Sequence, residues 1–381
     1  MPKYDIPIIM YHCINDRPHD NPLGFLAFSP DQFRQHLKYF KKQGFRCVTL
    51  TELYKIALEG KLGKDKLAVL TFDDGFLDNW LIVRDILEQF NATATIFVSP
   101  DFADDGPVRT LKNVPNVWGN LNYAEMIELE KRGIADIQSH TMTHNFEFCS
   151  DKVIDCYSPD KFEKYYWLIW KLYPKEKPNW CYKLEELKQL IPIGYPIFEY
   201  DRAIISKCFF PSAEFIKLSV ENFSGSSPDY INWLNEQKNK GHFESETQWE
   251  ERVKYELVQS KRLLEQKLKK KVEFLCFPGG AYNQKVLKIA QAAGYKAYMV
   301  SSKKRTNGNY QQLKNANKAK SIIGLERVSF TKNYPIFHKS KLFAYLNCKL
   351  KIDSYLGKSW ANILLEILRF VRTAITKYIV K

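Results

Sequence analysis

The chain has 381 residues, 45% of them hydrophobic, with a formal net charge of +14 and a pI near 9.2. Length and apolar content allow one large domain carrying an insertion, or two domains, with a sizeable core. The basic balance favours an acidic partner such as nucleic acid, an anionic membrane surface or an acidic glycan. There is no RNA-binding aromatic signature, no helix-turn-helix pattern and no zinc-finger spacing, so nucleic acid is not expected.

The first residues, Met1 to Ile9, have no charged region followed by a long apolar stretch, so neither a signal peptide nor a spanning helix is expected there. That reading places the protein in the cytoplasm. Apolar, strand-like runs then recur at Ile6–Tyr11, Leu67–Phe72, Thr93–Val98, Ile134–Gln138, Glu273–Phe277 and Ala297–Ser301. Helices with readable ends lie between many of them. Ser29-Pro30 opens one as N-cap and first residue, and Gly44 closes it; Phe33, Leu37 and Phe40 share its apolar face. Asn122 and Gly133 bound a second helix, and Asn283 and Gly294 a third. Strands alternating with helices predict a mainly parallel α/β fold, open or closed into a barrel.

Two regions break this rhythm. Residues 145–250 are rich in aromatics, among them Trp167, Trp170, Trp180, Phe198 and Phe209, and read as an insertion serving as lid or substrate wall. Residues 1–144 and 251–334 are then two parts of one body. Residues 335–381 form a tail in which Trp360, Ile363, Leu364, Ile367, Val371, Ile375, Tyr378 and Ile379 recur at helical spacing, with Arg369, Arg372, Lys377 and Lys381 mostly off that stripe. A basic amphipathic helix of this kind lies on an anionic membrane or packs on the barrel. Ser302–Lys320 is polar and basic and is expected to be a mobile loop. The eight cysteines form no C-x-x-C pair, and several sit in apolar runs, as expected of small core residues in a reducing compartment.

Four segments follow the C-terminal ends of expected strands: Tyr11-His12, Asp73-Asp74-Gly75, His140-x-x-x-His144 and Pro278-Gly279-Gly280. In parallel barrels that rim is where sites assemble. A carboxylate with two imidazoles makes a three-ligand site with an open position; the mixed N/O set suits zinc, while nickel, cobalt or iron also fit. Two adjacent acids can divide the work, one binding metal and the other accepting a proton from water.

Thr71-Phe72-Asp73-Asp74-Gly75, His140-Thr141-Met142-Thr143-His144 and Phe277-Pro278-Gly279-Gly280-Ala281-Tyr282-Asn283, in this order, resemble the signature motifs of polysaccharide deacetylases (the NodB-homology domain, carbohydrate esterase family four). The resemblance covers roughly residues 5–145 and 250–330. It implies a distorted (β/α) barrel that hydrolyses acetyl groups on glycans. Carried over, it makes Asp73 the catalytic base and Asp74, His140 and His144 the ligands of one divalent ion. The backbone around Pro278-Gly279 becomes part of an oxyanion wall. Tyr11, Pro278, Gly279 and Gly280 are the candidate substrate contacts.

Two departures stand out. Many members carry an arginine two residues before the proline of the third motif; here that position is Cys276, and Arg327 is the candidate replacement from a later strand. No late motif supplying a general-acid histidine is evident. His12 is the candidate, since Tyr11-His12 resembles an early motif of biofilm poly-N-acetylglucosamine deacetylases, and His338 is the second choice. The expected partner is an acetylated glycan or a lipid-linked sugar precursor, with peripheral contact to an anionic membrane. A non-sugar amidase or esterase, and a glycan-binding module without catalysis, are the competing readings.

Overall fold

The computed structural model describes residues 5–300, 308–330 and 340–379. Among these residues, nine strands form one parallel sheet. Its order is Ile323–Glu326, Ala297–Val300, Phe274–Cys276, Ala135–Ser139, Ala94–Val98, Leu67–Phe72, Ile8–Tyr11 and Val328–Ser329, with Arg46–Val48 pairing Leu67–Phe72 off this path. The two ends of the order are neighbours in sequence. Residues 323–326 pair with Ala297–Val300 while residues 328–329 pair with Ile8–Tyr11, so one short segment nearly closes the sheet into a distorted (β/α) barrel.

Strand alternation divides the apolar residues between two cores. Ile8, Val69, Phe97, Phe274, Cys276, Met299 and Leu325 cluster on one side of the sheet. Ile9, Tyr11, Leu70, Phe72, Ile96 and Leu275 pack on the other, against the helices. Every residue of Leu67–Phe72 is buried, as expected of a strand covered on both faces.

The expected helix ends recur. Pro30–Lys42 begins with a reciprocal capping box between Ser29 and Gln32, and Tyr123–Lys131 with one between Asn122 and Glu125. Asn283 caps Gln284–Ala292 through the Val286 N–H.

The expected loop over Ser302–Lys320 is corrected in part. Residues 302–307 lie outside the described residues, but Asn309–Lys314 is a helix, followed by a helical turn at Ala316–Lys318. Buried Asn309 holds it, donating to Ile6 O and Glu326 O and accepting from the Glu326 N–H. The segment is polar because most of its described side chains face solvent, and buried Asn309 is its clamp.

Residues 146–243 contain two antiparallel strand pairs, Phe146–Cys156 with Pro196–Arg202 and Phe209–Pro211 with Gly241–Phe243, each joined through short helices. Trp167, Trp170, Trp180, Phe198 and Phe209 form an aromatic core there that also takes in Phe76, Phe102 and Trp118 of the barrel. The insertion is thus seated on the barrel's rim.

The tail forms two helices, Lys341–Tyr355 and Ser359–Ile379. The first packs through Ala344, Cys348 and Ile352, and Asp353 accepts from the Tyr39 hydroxyl. On the second, Trp360, Ile363, Leu364, Ile367 and Phe370 are exposed. Among the described residues, no helix is long and apolar enough to cross a membrane.

Candidate active site

The site is built where four strands end, Ile8–Tyr11, Leu67–Phe72, Ala135–Ser139 and Phe274–Cys276. After Leu67–Phe72, the Asp73 N–H donates to Tyr11 O at 3.0 Å, which extends the pairing of the two central strands by one residue. Asp74 and Gly75 then turn left-handed, at φ 69° and 59°. Asp tolerates that region better than most residues and Gly freely. The turn separates the two carboxylates, and Asn120 Nδ2 donates to Asp74 O at 3.1 Å to hold it.

After Ala135–Ser139 the chain makes an irregular loop, with Thr141 at φ 67° and His144 at φ 56°. A β-branched residue there is strained, and such strain persists only where neighbours impose it. Buried Glu256 imposes it here. Its carboxylate accepts the N–H groups of Met142 and Thr143 at 2.9 and 3.0 Å and the Thr143 hydroxyl. Lys177, fully buried and supplied by the insertion, donates to Thr143 O at 2.8 Å and to Asp101.

The loop presents both imidazoles to Asp74. His140 Nε2 and His144 Nε2 each lie 3.1 Å from Asp74 Oδ1, and the three donor atoms are within 4.8 Å of one another. Tetrahedral zinc with arms of about 2.0–2.1 Å would set its ligands about 3.3 Å apart, so the set fits such an ion. The chemistry of the donors fits as well. His140 Nδ1–H donates to Cys276 O at 2.7 Å, which turns the Nε2 lone pair toward Asp74. Burial pushes His144 down to about 4, whereas His140, against its own burial, is held above its ordinary value by Cys276, Asp74 and Asp73. Asp73, His140 and Cys276 form a second grouping, but Asp73 Oδ1 is already committed elsewhere.

That commitment is to Arg327, whose Nη1 donates to Asp73 Oδ1 at 2.6 Å. Both side chains are buried. Burial alone would raise the Asp73 carboxyl, but Arg327, with His140 and His12, holds it below its ordinary value. His12 Nε2 stands 3.9 Å from Asp73 Oδ2.

These groups open onto a pocket of about 290 Å3. His12, Asp73, Asp74, His140, His144 and Arg327 line its polar side, with Gly279 and Gly280 beside them. Tyr166, Trp170, Trp180 and Arg202 from the insertion, with Leu23, Phe25 and Phe102, supply the rest of the wall. Pro278 sits behind this wall, in a turn with Gly279 at φ 62°.

Tyr11 does not line the pocket. Alternation along its strand sends Met10 and His12 there, and Tyr11 to the opposite face. Its ring stacks on Phe72 and its hydroxyl pairs with His36 Nδ1 at 3.0 Å. The alternative acid, His338, lies outside the described residues. Four residues escaped the sequence reading: Glu256, Lys177, Asn120 and Arg202. Each is a polar residue among others like it, as Lys177 is in Lys175-Glu176-Lys177, and nothing local marks it.

A parallel barrel that gathers a carboxylate, two imidazoles and a second, arginine-held carboxylate at its C-terminal rim defines an α/β barrel protein whose donor set has the make-up to hold a divalent ion. The chain belongs to the polysaccharide deacetylase family, whose sequence profile matches residues 60–178 and 227–298, half of the chain. The Bacillus subtilis (strain 168) protein YxkH, whose name places it among polysaccharide deacetylases, is 27% identical over 139 residues. That match spans 36% of this chain and 43% of YxkH, less than half of the relative's length. The fold is similar to that of a de-N-acetylase from Aggregatibacter actinomycetemcomitans, with a TM-score of 0.52 at 15% identity, covering 84% of this chain and 93% of that one. It is also similar to the BpsB deacetylase domain from Bordetella bronchiseptica, with a TM-score of 0.51 at 13% identity, covering 86% and 96%.

Proposed function

We propose that this protein is a metal-dependent carbohydrate N-deacetylase, acting on an acetylated glycan or a lipid-linked sugar precursor. The observation that carries the reading is the pairing of a complete donor set, Asp74, His140 and His144, with an independent carboxylate, Asp73, in one pocket of a family member. A binding module has no need of a base beside a ligand set.

Asp74, His140 and His144 would hold the ion, zinc being the best fit to their N/O chemistry and nickel, cobalt or iron(II) the alternatives. When bound, it would polarise the acyl carbonyl and acidify a water. Asp73, kept ionised by Arg327, takes the proton from the attacking water. His12, on the other side of Asp73, donates a proton to the departing sugar nitrogen. That donation is needed because an amide does not expel an unprotonated amine. Gly279 contributes a backbone N–H to the developing oxyanion. Tyr166, half-buried in the pocket wall, is the insertion's aromatic side chain placed to meet a sugar ring, while Trp170 and Trp180 are buried and packed against each other beside it.

Acetate release from N-acetylated glycans, measured with metal content for wild type, Asp73→Asn and His140→Ala, tests the proposal. Release by wild type should be lost in both variants, with metal kept only in Asp73→Asn. Metal without release from any glycan would redirect the reading to a non-sugar amide or ester, and absence of both to a non-catalytic module.

A second reading concerns place. Exposed Trp360, Ile363, Leu364 and Ile367 recur at helical spacing along a basic tail, the composition of a helix that lies in an anionic lipid interface. Deleting the residues after Trp360 should release the protein from phosphatidylserine vesicles, and unchanged binding would discard this reading.

A further inference from the structure

Arg202 is the last residue of the strand Pro196–Arg202, which pairs with Phe146–Cys156 in the insertion. Pairing with Phe146 brings it beside the histidine loop. Its guanidinium lies 3.8 Å from the centre of the Phe146 ring and packs against Gly279. A β-carbon at position 279 would fall 2.8 Å from Nε, so the left-handed glycine leaves the space that the guanidinium fills. Nη1 is buried and has no hydrogen-bond partner among the described residues. Arg202 is a pocket-lining residue, with Asp74 and His144.

A partly buried cation with an unsatisfied donor is unfavourable unless something else answers it. The turn beside it is short of donors. Pro278 has no N–H, the Gly280 N–H is taken by Phe277 O, and the Ala281 N–H by Pro278 O. Within Pro278–Ala281 that leaves the N–H of Gly279, the residue Arg202 rests on. Charge points the same way. Asp73 is neutralised by Arg327, and a divalent ion held by Asp74, His140 and His144 would more than offset Asp74, so with the ion bound Arg202 would add to an excess of positive charge. Such a site is complementary to an anionic oxygen.

We propose that Arg202 is a second oxyanion donor, brought in by the insertion, and a receptor for the carboxylate product; this rests on the deacylation proposed above. As the water oxygen bonds to the acyl carbon, the carbonyl π pair moves onto its oxygen, beside Gly279 and Arg202. The pair returns when the C–N bond breaks, the nitrogen receives a proton, and the acid leaves as carboxylate. Arg202 donates hydrogen bonds throughout and loses no proton. Because the charge it meets develops along the reaction, it acts on kcat more than on KM.

The test uses acetate as the probe, titrated calorimetrically into the zinc-loaded full chain at constant ionic strength, for wild type, Arg202→Lys and Arg202→Met. Arg202→Met should bind acetate at least about tenfold more weakly at unchanged zinc content. Its kcat on a neutral N-acetyl sugar should fall about 10²-fold or more with KM nearly constant. Arg202→Lys keeps the charge without the fork and should fall in between. Gly279→Ala, which pushes on the guanidinium without removing it, should weaken acetate binding too. Unchanged acetate affinity in Arg202→Met would overturn the proposal, as would a change confined to KM for acidic sugars. If wild type deacetylates nothing, the deacetylase reading fails by itself, while the acetate titration still decides whether Arg202 receives a carboxylate.

Discussion

Arg327 Nη1 lies 2.6 Å from Asp73 Oδ1, joining side chains 254 positions apart in the chain. Arg327 occupies the single step between Ile323–Glu326 and Val328–Ser329, the segments that pair with opposite edges of the sheet. The residue at the closure of the barrel therefore also holds the proposed base. Cys276, where many family members carry an arginine, is buried, and its thiol lies close enough to Arg327 to interact with it. The guanidinium thus arrives from a different strand.

Arg327→Met should leave Asp73 buried and unpaired. Removing one partner of a buried pair costs about 3–5 kcal/mol, read from urea unfolding. Arg327→Lys keeps the charge but loses the planar fork, so it should fold while kcat for acetate release falls at least about tenfold. A wild-type unfolding midpoint for Arg327→Met would contradict the assigned pairing.

His12→Gln separates proton donation from the rest of the site. Loss of a positioned general acid should lower kcat about 10²–10⁴-fold on N-acetyl sugars. An aryl acetate, whose leaving group needs no proton, should be affected far less, and metal content should be unchanged. Equal losses on both substrates would remove His12 from the proton-donor role.

Glu256 never touches the pocket, yet it holds the loop between the two histidines. Glu256→Ala leaves the Met142 and Thr143 N–H groups without their acceptor. Each buried donor left unpaired costs about 1–3 kcal/mol, and outer-shell loss of this kind weakens metal affinity about 10–100-fold. Zinc competition with a chelator checks the second effect. Wild-type zinc affinity in a folded Glu256→Ala protein would show that the loop keeps its shape without the clamp.

Asp155 in the insertion supplies a pH-dependent contribution. Burial would raise its carboxyl, but Lys161, the Tyr165 hydroxyl and the Cys156 N–H hold it down to about 2. A group depressed in the folded state stabilises above its unfolded value, about 3.9, and that stability is lost as pH falls toward 2. Asp155→Asn should therefore unfold more easily than wild type at pH 7, and the difference should shrink from about pH 4 downward. A difference independent of pH would rule out the carboxylate as its source.

Much of the architecture was legible because its signals are local. Helix starts at Ser29, Asn122 and Asn283 depend on a side chain reaching an N–H three residues on, which spacing alone reveals. Strands such as Leu67–Phe72 are apolar throughout because both faces are covered. Asp73, Asp74, His140 and His144 fall at strand ends, and a parallel barrel brings all such ends to one rim. The tertiary structure decided what depends on facing and on distance. Strand parity turned Tyr11 into the helical layer and His12 into the pocket, although the two are adjacent. Closure of the sheet carried Arg327 to Asp73. Docking of the insertion's aromatic core set Lys177 under the histidine loop and Arg202 against Gly279. None of these contacts has a local signature, because each joins groups far apart in the chain, and only the packing of the whole brings them within hydrogen-bonding or van der Waals reach.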